Sequence, residues 1–161
     1  MKNFIYSIIL SIVSLHVVHA QTFLKEGQLN TTTIADYIKK SDYNVLEVTP
    51  KFIKISNKTN SVLYLDLDSL HQKFLFFNVA ITLKKDISEE RISQLVSDIN
   101  TLEMIKCAYY PADNSIEFKY YYWITNGLCV ETLTDAIHEF FLYQGDAYNM
   151  DKEKILNYDT Q

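Results

Sequence analysis

The chain has 161 residues, 48% hydrophobic and 14% aromatic, with three glycines, two prolines and a formal net charge of −5. That composition excludes a linker or disordered tail. The acidic balance, without a cluster of basic residues, excludes a phosphate backbone, and hence nucleic acid, as partner.

Residues 1–20, MKNFIYSIILSIVSLHVVHA, combine a basic start at Lys2, an apolar run from Phe4 to Val18 and the small-residue pattern Val18-His19-Ala20. They read as a secretory signal peptide. The run is shorter than the roughly 20 residues that a membrane-spanning helix needs, and no cysteine follows to take a lipid. The expectation is a chain starting near Gln21, exported to the periplasm or secreted, with no stable membrane span after cleavage. Residues 21–145 are expected to form one domain and 146–161 a polar tail.

In chain order, NTTTIADYIKK (30–40) predicts a short helix, with Thr31 or Thr32 as cap and Ile34 and Ile38 on one face. Three strands follow: Lys51 to Ser56, Ser61 to Leu67 and Lys73 to Leu83, the first two joined by the turn Asn57-Lys58-Thr59-Asn60. DISEERISQLVSDIN (86–100) predicts a second helix, with Asp86 and Glu89 at capping-box spacing and a stripe of Ile92, Leu95, Val96 and Ile99. IKCAYY (105–110) and SIEFKYYYWI (115–124) predict a second hairpin through Pro111 to Asn114. CVETLTDAIHEFFLY (129–143) predicts the third helix, with Val130, Leu133, Ile137, Phe140 and Phe141 facing inward.

The order α-β-β-β-α-β-β-α, built on hairpins, predicts an α+β domain of about five mostly antiparallel strands and three helices. With Ile99-Asn100 closing the second helix, SIEFKYYYWI as the last strand, and Gly127-Leu128, Glu131 and Leu133 opening the last helix, Thr32 to Tyr143 resembles the YbjN family. Its members are bacterial proteins labelled as sensory transduction regulators and similar in fold to type III secretion chaperones. The resemblance implies a chaperone-like fold, a regulatory role and no catalytic motif.

Alternation along strands sorts the aromatics. Ile53, Ile55, Leu63, Leu65, Leu75, Phe77, Val79, Ile81, Ile116, Phe118, Tyr120 and Tyr122 form rows that could face the first and third helices. A hairpin register pairing Tyr109 with Ile116 sets Cys107 opposite Phe118, and Lys106 opposite Lys119. The reverse rows hold Phe52, Val62, Tyr64, Phe74, Phe76, Tyr121 and Trp123, mixed with Lys54, Asp66 and Asn78. So apolar a face needs a cover, and three are open: the second helix, a second copy of the chain, or another partner. Phe52, Tyr64, Phe74, Phe76, Tyr121 and Trp123 are the candidate interaction surface.

Chemical motifs are missing. In HEFFL (138–142), Leu142 stands where a zinc helix needs its second histidine. DLDSLH (66–71) lacks the glycine and final acid of a calcium loop, and reads as solvated side chains at a strand end. Gly27, Gly127 and Gly145 are too scattered for a phosphate loop. No catalytic, cofactor-binding or metal-binding residue is assigned. Cys107 and Cys129 are too far apart along the last strand for a disulfide. The expected function is an exported, non-enzymatic, protein-binding or regulatory domain acting on a partner or as a homodimer. The alternative is a periplasmic domain that binds a small molecule or lipid in a pocket lined by the aromatic rows, with a hydrolase as the third reading.

Overall fold

The computed structural model describes residues 21–68 and 73–158, so the signal-peptide reading and His71 lie outside the described residues. In chain order its elements are β1 (Phe23–Leu24), α1 (Thr31–Ile38), β2 (Asn44–Val48), β3 (Phe52–Ser56), β4 (Val62–Leu67), β5 (Phe74–Thr82), α2 (Glu89–Ile99), β6 (Lys106–Tyr110), β7 (Ser115–Trp123), β8 (Leu128–Cys129) and α3 (Val130–Met150). The fold is α+β. Six strands form one antiparallel sheet in the order β2-β3-β4-β5-β7-β6, and β1 pairs with β8 in a second, two-stranded sheet.

The described residues thus hold eight strands rather than the expected five. Two of the additions, β1 and β8, are too short to show any periodicity. The third, β2, is an edge strand with a register irregularity between Val45 and Glu47 and with Leu46 and Val48 exposed, so its sequence lacks a clean alternation. Gly127 joins the small sheet to β7. Its φ is +119°, and a Cβ there would lie 2.5 Å from the Leu24 carbonyl oxygen, so only glycine fits this close approach.

The caps also differ from expectation. Asn30, not a threonine, starts α1 by accepting the Thr33 amide at 2.8 Å, while the Thr31 hydroxyl donates to the Thr49 carbonyl at 2.6 Å. Ser88 caps α2 in place of Asp86, whose φ of 62° is left-handed; a cap needs extended backbone. The hairpin turn at 57–60 forms as the sequence suggests, the Asn57 side chain accepting the amides of Thr59 and Ser61 and Asn60 taking φ 64°. Asparagine tolerates that conformation.

The buried rows of β3, β4, β5, β6 and β7 share a single core with Ile34 and Ile38 of α1, Ile92, Leu95 and Ile99 of α2, and Leu133, Ile137 and Phe140 of α3. α2 packs against both β6 and α3. All three helices therefore lie on one side of the sheet, which removes the second helix from the three covers open for the reverse face. A side-chain latch holds α2 there. The Asn100 amide donates to the Cys107 carbonyl at 2.9 Å, and its oxygen accepts the Cys107 N–H at 2.8 Å. These bonds occupy the outer edge of β6 and tie the end of α2 to it. Asn100→Ala removes both partners at once and is expected to cost about 1–3 kcal/mol, read as a lowered urea midpoint; an unchanged midpoint would remove the latch from this account.

α3 does not stop near Tyr143. It runs through Gly145 to Met150, and the segment expected as a polar tail returns to the core. Ile155 and Leu156 are buried, Leu156 bridges Leu83, and the buried Asp151 carboxylate accepts the amides of Ile155 and Leu156 at 2.9 Å each and the Tyr158 hydroxyl at 2.9 Å. Two isolated apolar residues among polar ones carry no periodic signal, which is why this docking is invisible to pattern reading.

Candidate functional site

Strand register fixes the layout of the open face. One row across the sheet reads Phe52, Asp66, Phe76, Tyr121, and the next reads Lys54, Tyr64, Asn78, Lys119. Beyond the first row, Phe74 pairs with Trp123, and beyond the second, Ala80 pairs with Glu117. The face is therefore aromatic at one end and polar at the other. All six candidate residues fall on it.

The rings contact one another across strands. Phe74 packs edge-on against Tyr121 at 5.3 Å and Trp123 at 5.8 Å, Phe76 lies 4.9 Å from Tyr121, and Phe52 meets Tyr64 edge-on at 5.5 Å. Such cross-strand pairs stabilise a sheet, so four of the rings are partly sheltered. Trp123 and Tyr121 remain 66% and 50% exposed, which is unusual for the two side chains best suited to anchor a protein interface. Among the described residues no helix lies over this face.

Asp66 sits inside the aromatic end, between Phe52 and Phe76. Its carboxylate accepts the Asn78 side-chain amide at 2.9 Å. Burial raises its pKa, the Asn78 bond works to lower it, and the Glu117 charge raises it further, for a net rise. It is thus not the solvated strand-end group expected from DLDSLH. A raised folded-state pKa contributes stability below the unfolded value and loses it as pH climbs through the folded one. Asp66→Asn stays neutral and keeps an acceptor for Asn78, so its advantage over wild type is expected to grow with pH through the carboxylate range. Paired urea titrations from acid to neutral pH check this, and a shrinking advantage would contradict it.

The polar end is an ordered network. The Lys119 ammonium pairs with Glu117 at 2.8 Å and with the Tyr110 hydroxyl. Burial works to lower the Lys119 pKa, but the bonds to Glu117 and Tyr110 outweigh it and raise the value. Lys106 stands opposite Lys119 in the register, as alternation requires. The conflict is relieved because Lys106 turns away and donates to the carbonyls of Asn100 and Leu102. Alternation alone placed Lys54, Asp66 and Asn78 on this face; what it did not show is that Asp66 is half-sheltered and that Glu117 and Lys119 are bonded to each other.

Catalytic arrangements are thin. Cys107 faces the core opposite Phe118, and burial pushes its thiol up to about 12, opposed by Lys119. Cys129 lies in β8 opposite Phe23, and both thiols are free. Two clefts on the helix side measure about 410 and 480 Å³; Tyr43, His138, Phe141 and Leu142 line part of the first and Tyr37, Lys40, Glu131 and Asp135 part of the second. None of the six surface aromatics lines either cleft. Burial raises the Tyr43 pKa, aided by the charges of Asp42 and Asp135, which makes that hydroxyl a poorer proton donor. Among the described residues no group of three His, Cys, Asp or Glu could hold a metal ion, and no helix is long and apolar enough to cross a membrane. Comparison with protein-family models, with curated proteins and with solved structures returns no match.

Proposed function

We propose that this protein is an exported, non-enzymatic binding domain of YbjN-like, chaperone-like type whose working surface is the open face of the six-stranded sheet. The observation that carries the reading is the exposure of Tyr121 and Trp123 at the aromatic end of the face, with all three helices on the other side. Antiparallel sheets commonly leave one face to water, but that face is then mostly polar. Here the sheet presents aromatic anchors at one end, bordered by Lys54, Glu117 and Lys119 toward the other, which gives apolar anchors with a charged flank. Export to the periplasm or beyond rests on the leader pattern of residues 1–20. The rings lie on a sheet face rather than in a concavity, which favours a protein surface over a small molecule or lipid as ligand.

The test compares the wild type with the double variant Tyr121→Ser, Trp123→Ser as bait for envelope proteins, self-capture included. The reading expects the folded variant to lose what the wild type retains, with a melting temperature lowered only by the few degrees that the lost ring pairs account for. Equal capture by both would sink it.

A further inference from the structure

We propose that the occupant of the open face is a second copy of this chain, packed sheet against sheet about a two-fold axis lying in the interface. The axis runs across the strands, between the Phe52-to-Tyr121 row and the Lys54-to-Lys119 row. This rests on the reading of the open face as a binding surface, and adds the partner and its orientation.

The register supplies the argument. A two-fold axis in this position lays each strand over its own copy and exchanges the two rows. Phe52 then meets Lys54 of the second copy, and Tyr121 meets Lys119, each an ammonium against a ring face. Asp66 meets the hydroxyl end of Tyr64, a donor for its carboxylate. In the outer rows Phe74 meets Ala80, large against small, and Trp123, whose indole N–H is a donor only, meets Glu117. Every contact occurs twice, and no like charges are opposed.

Two other face-to-face arrangements fare worse. An axis along the strands, between β4 and β5, lays β3 over β7 and sets Lys54 against Lys119. An axis through the first row sets Asp66 against its own copy. Like charges at an interface core are costly, so the charge pattern favours the first arrangement over these two, within the roughly 30° offset of packed twisted sheets. The size suits a concentration-dependent dimer. Six strands at about 4.8 Å spacing, five to nine residues long at about 3.3 Å each, give a face of roughly 600 Å² per partner, the low end of specific interfaces.

The experiment is light scattering with size exclusion over a dilution series of the mature chain, for the wild type, Tyr64→Asp and Lys119→Glu, with melting temperature as the folding control. The wild type is expected to be a concentration-dependent dimer. Tyr64→Asp sets a carboxylate against Asp66 twice per dimer and is expected to raise the dissociation constant at least about tenfold. Lys119→Glu removes the ammonium from Tyr121 and is also expected to weaken the dimer. If instead it tightens the dimer, Lys54 faces position 119 and the proposed orientation is wrong, although the face is still the interface. A strict monomer overturns the inference while leaving the binding face to the envelope-capture test. A dimer indifferent to both variants overturns the inference and removes self-association from the reading of the face. Should Tyr64→Asp fail to fold, Lys119→Glu still decides.

Discussion

Replacing Phe77 with alanine is expected to lower the free energy of unfolding by about 3–5 kcal/mol, measured by urea denaturation. Phe77 is fully buried in β5 and touches three other rings, Tyr120 at 5.5 Å, Phe140 at 5.9 Å and Tyr122 at 6.0 Å. Losing it opens a cavity between sheet and helix layer that neither strand backbone nor α3 can close. Trp123→Ser is the informative contrast, because Trp123 belongs to a strand paired with β5 but points to the other side. Its removal forfeits the edge-on contact with Phe74 and is expected to stay within about 1 kcal/mol, while binding through the face is lost. A small cost at Phe77 or a large one at Trp123 would mean that the two sides of the sheet have been exchanged.

Asp151→Ala is expected to cost about 3–5 kcal/mol and to lower the melting temperature by roughly 10 °C or more. Three bonds end on this buried carboxylate, two of them from the backbone of the returning segment. Without it the Ile155 and Leu156 amides are left buried and unpaired, and the Leu156 bridge to Leu83 loses its anchor. Burial and the Asp151 charge both push the Tyr158 pKa upward, so that hydroxyl keeps the proton it donates. Asp151→Asn retains one acceptor and is expected to fall between alanine and wild type. If Asp151→Ala melts like the wild type, residues 151–158 do not contribute to the fold as described.

The long strands were legible because their rows alternate, and the register of the second hairpin followed from matching apolar positions, down to Cys107 opposite Phe118. The six surface aromatics were likewise legible as one face. What escaped were features whose cause is not periodic. β2 is an irregular edge, β1 and β8 are two-residue pairings, and the docking of Ile155 and Leu156 depends on one carboxylate distant from any motif. The side taken by α2 escaped for a different reason. Its stripe of Ile92, Leu95 and Ile99 would suit either face of the sheet, and the choice rests on the Asn100 bonds to the edge strand and on contact with α3. Spacing along the chain records neither.

Trp123 is the chain's only tryptophan, so its fluorescence reports the open face without labelling. The measurement that bears most directly on the central claim is emission wavelength and acrylamide quenching of the protein across the dilution range that separates dimer from monomer. The account predicts a blue-shifted, quencher-protected indole in the associated state and a red-shifted, accessible one on dilution. An indole equally accessible throughout, in a protein that scattering shows to be associating, would contradict it.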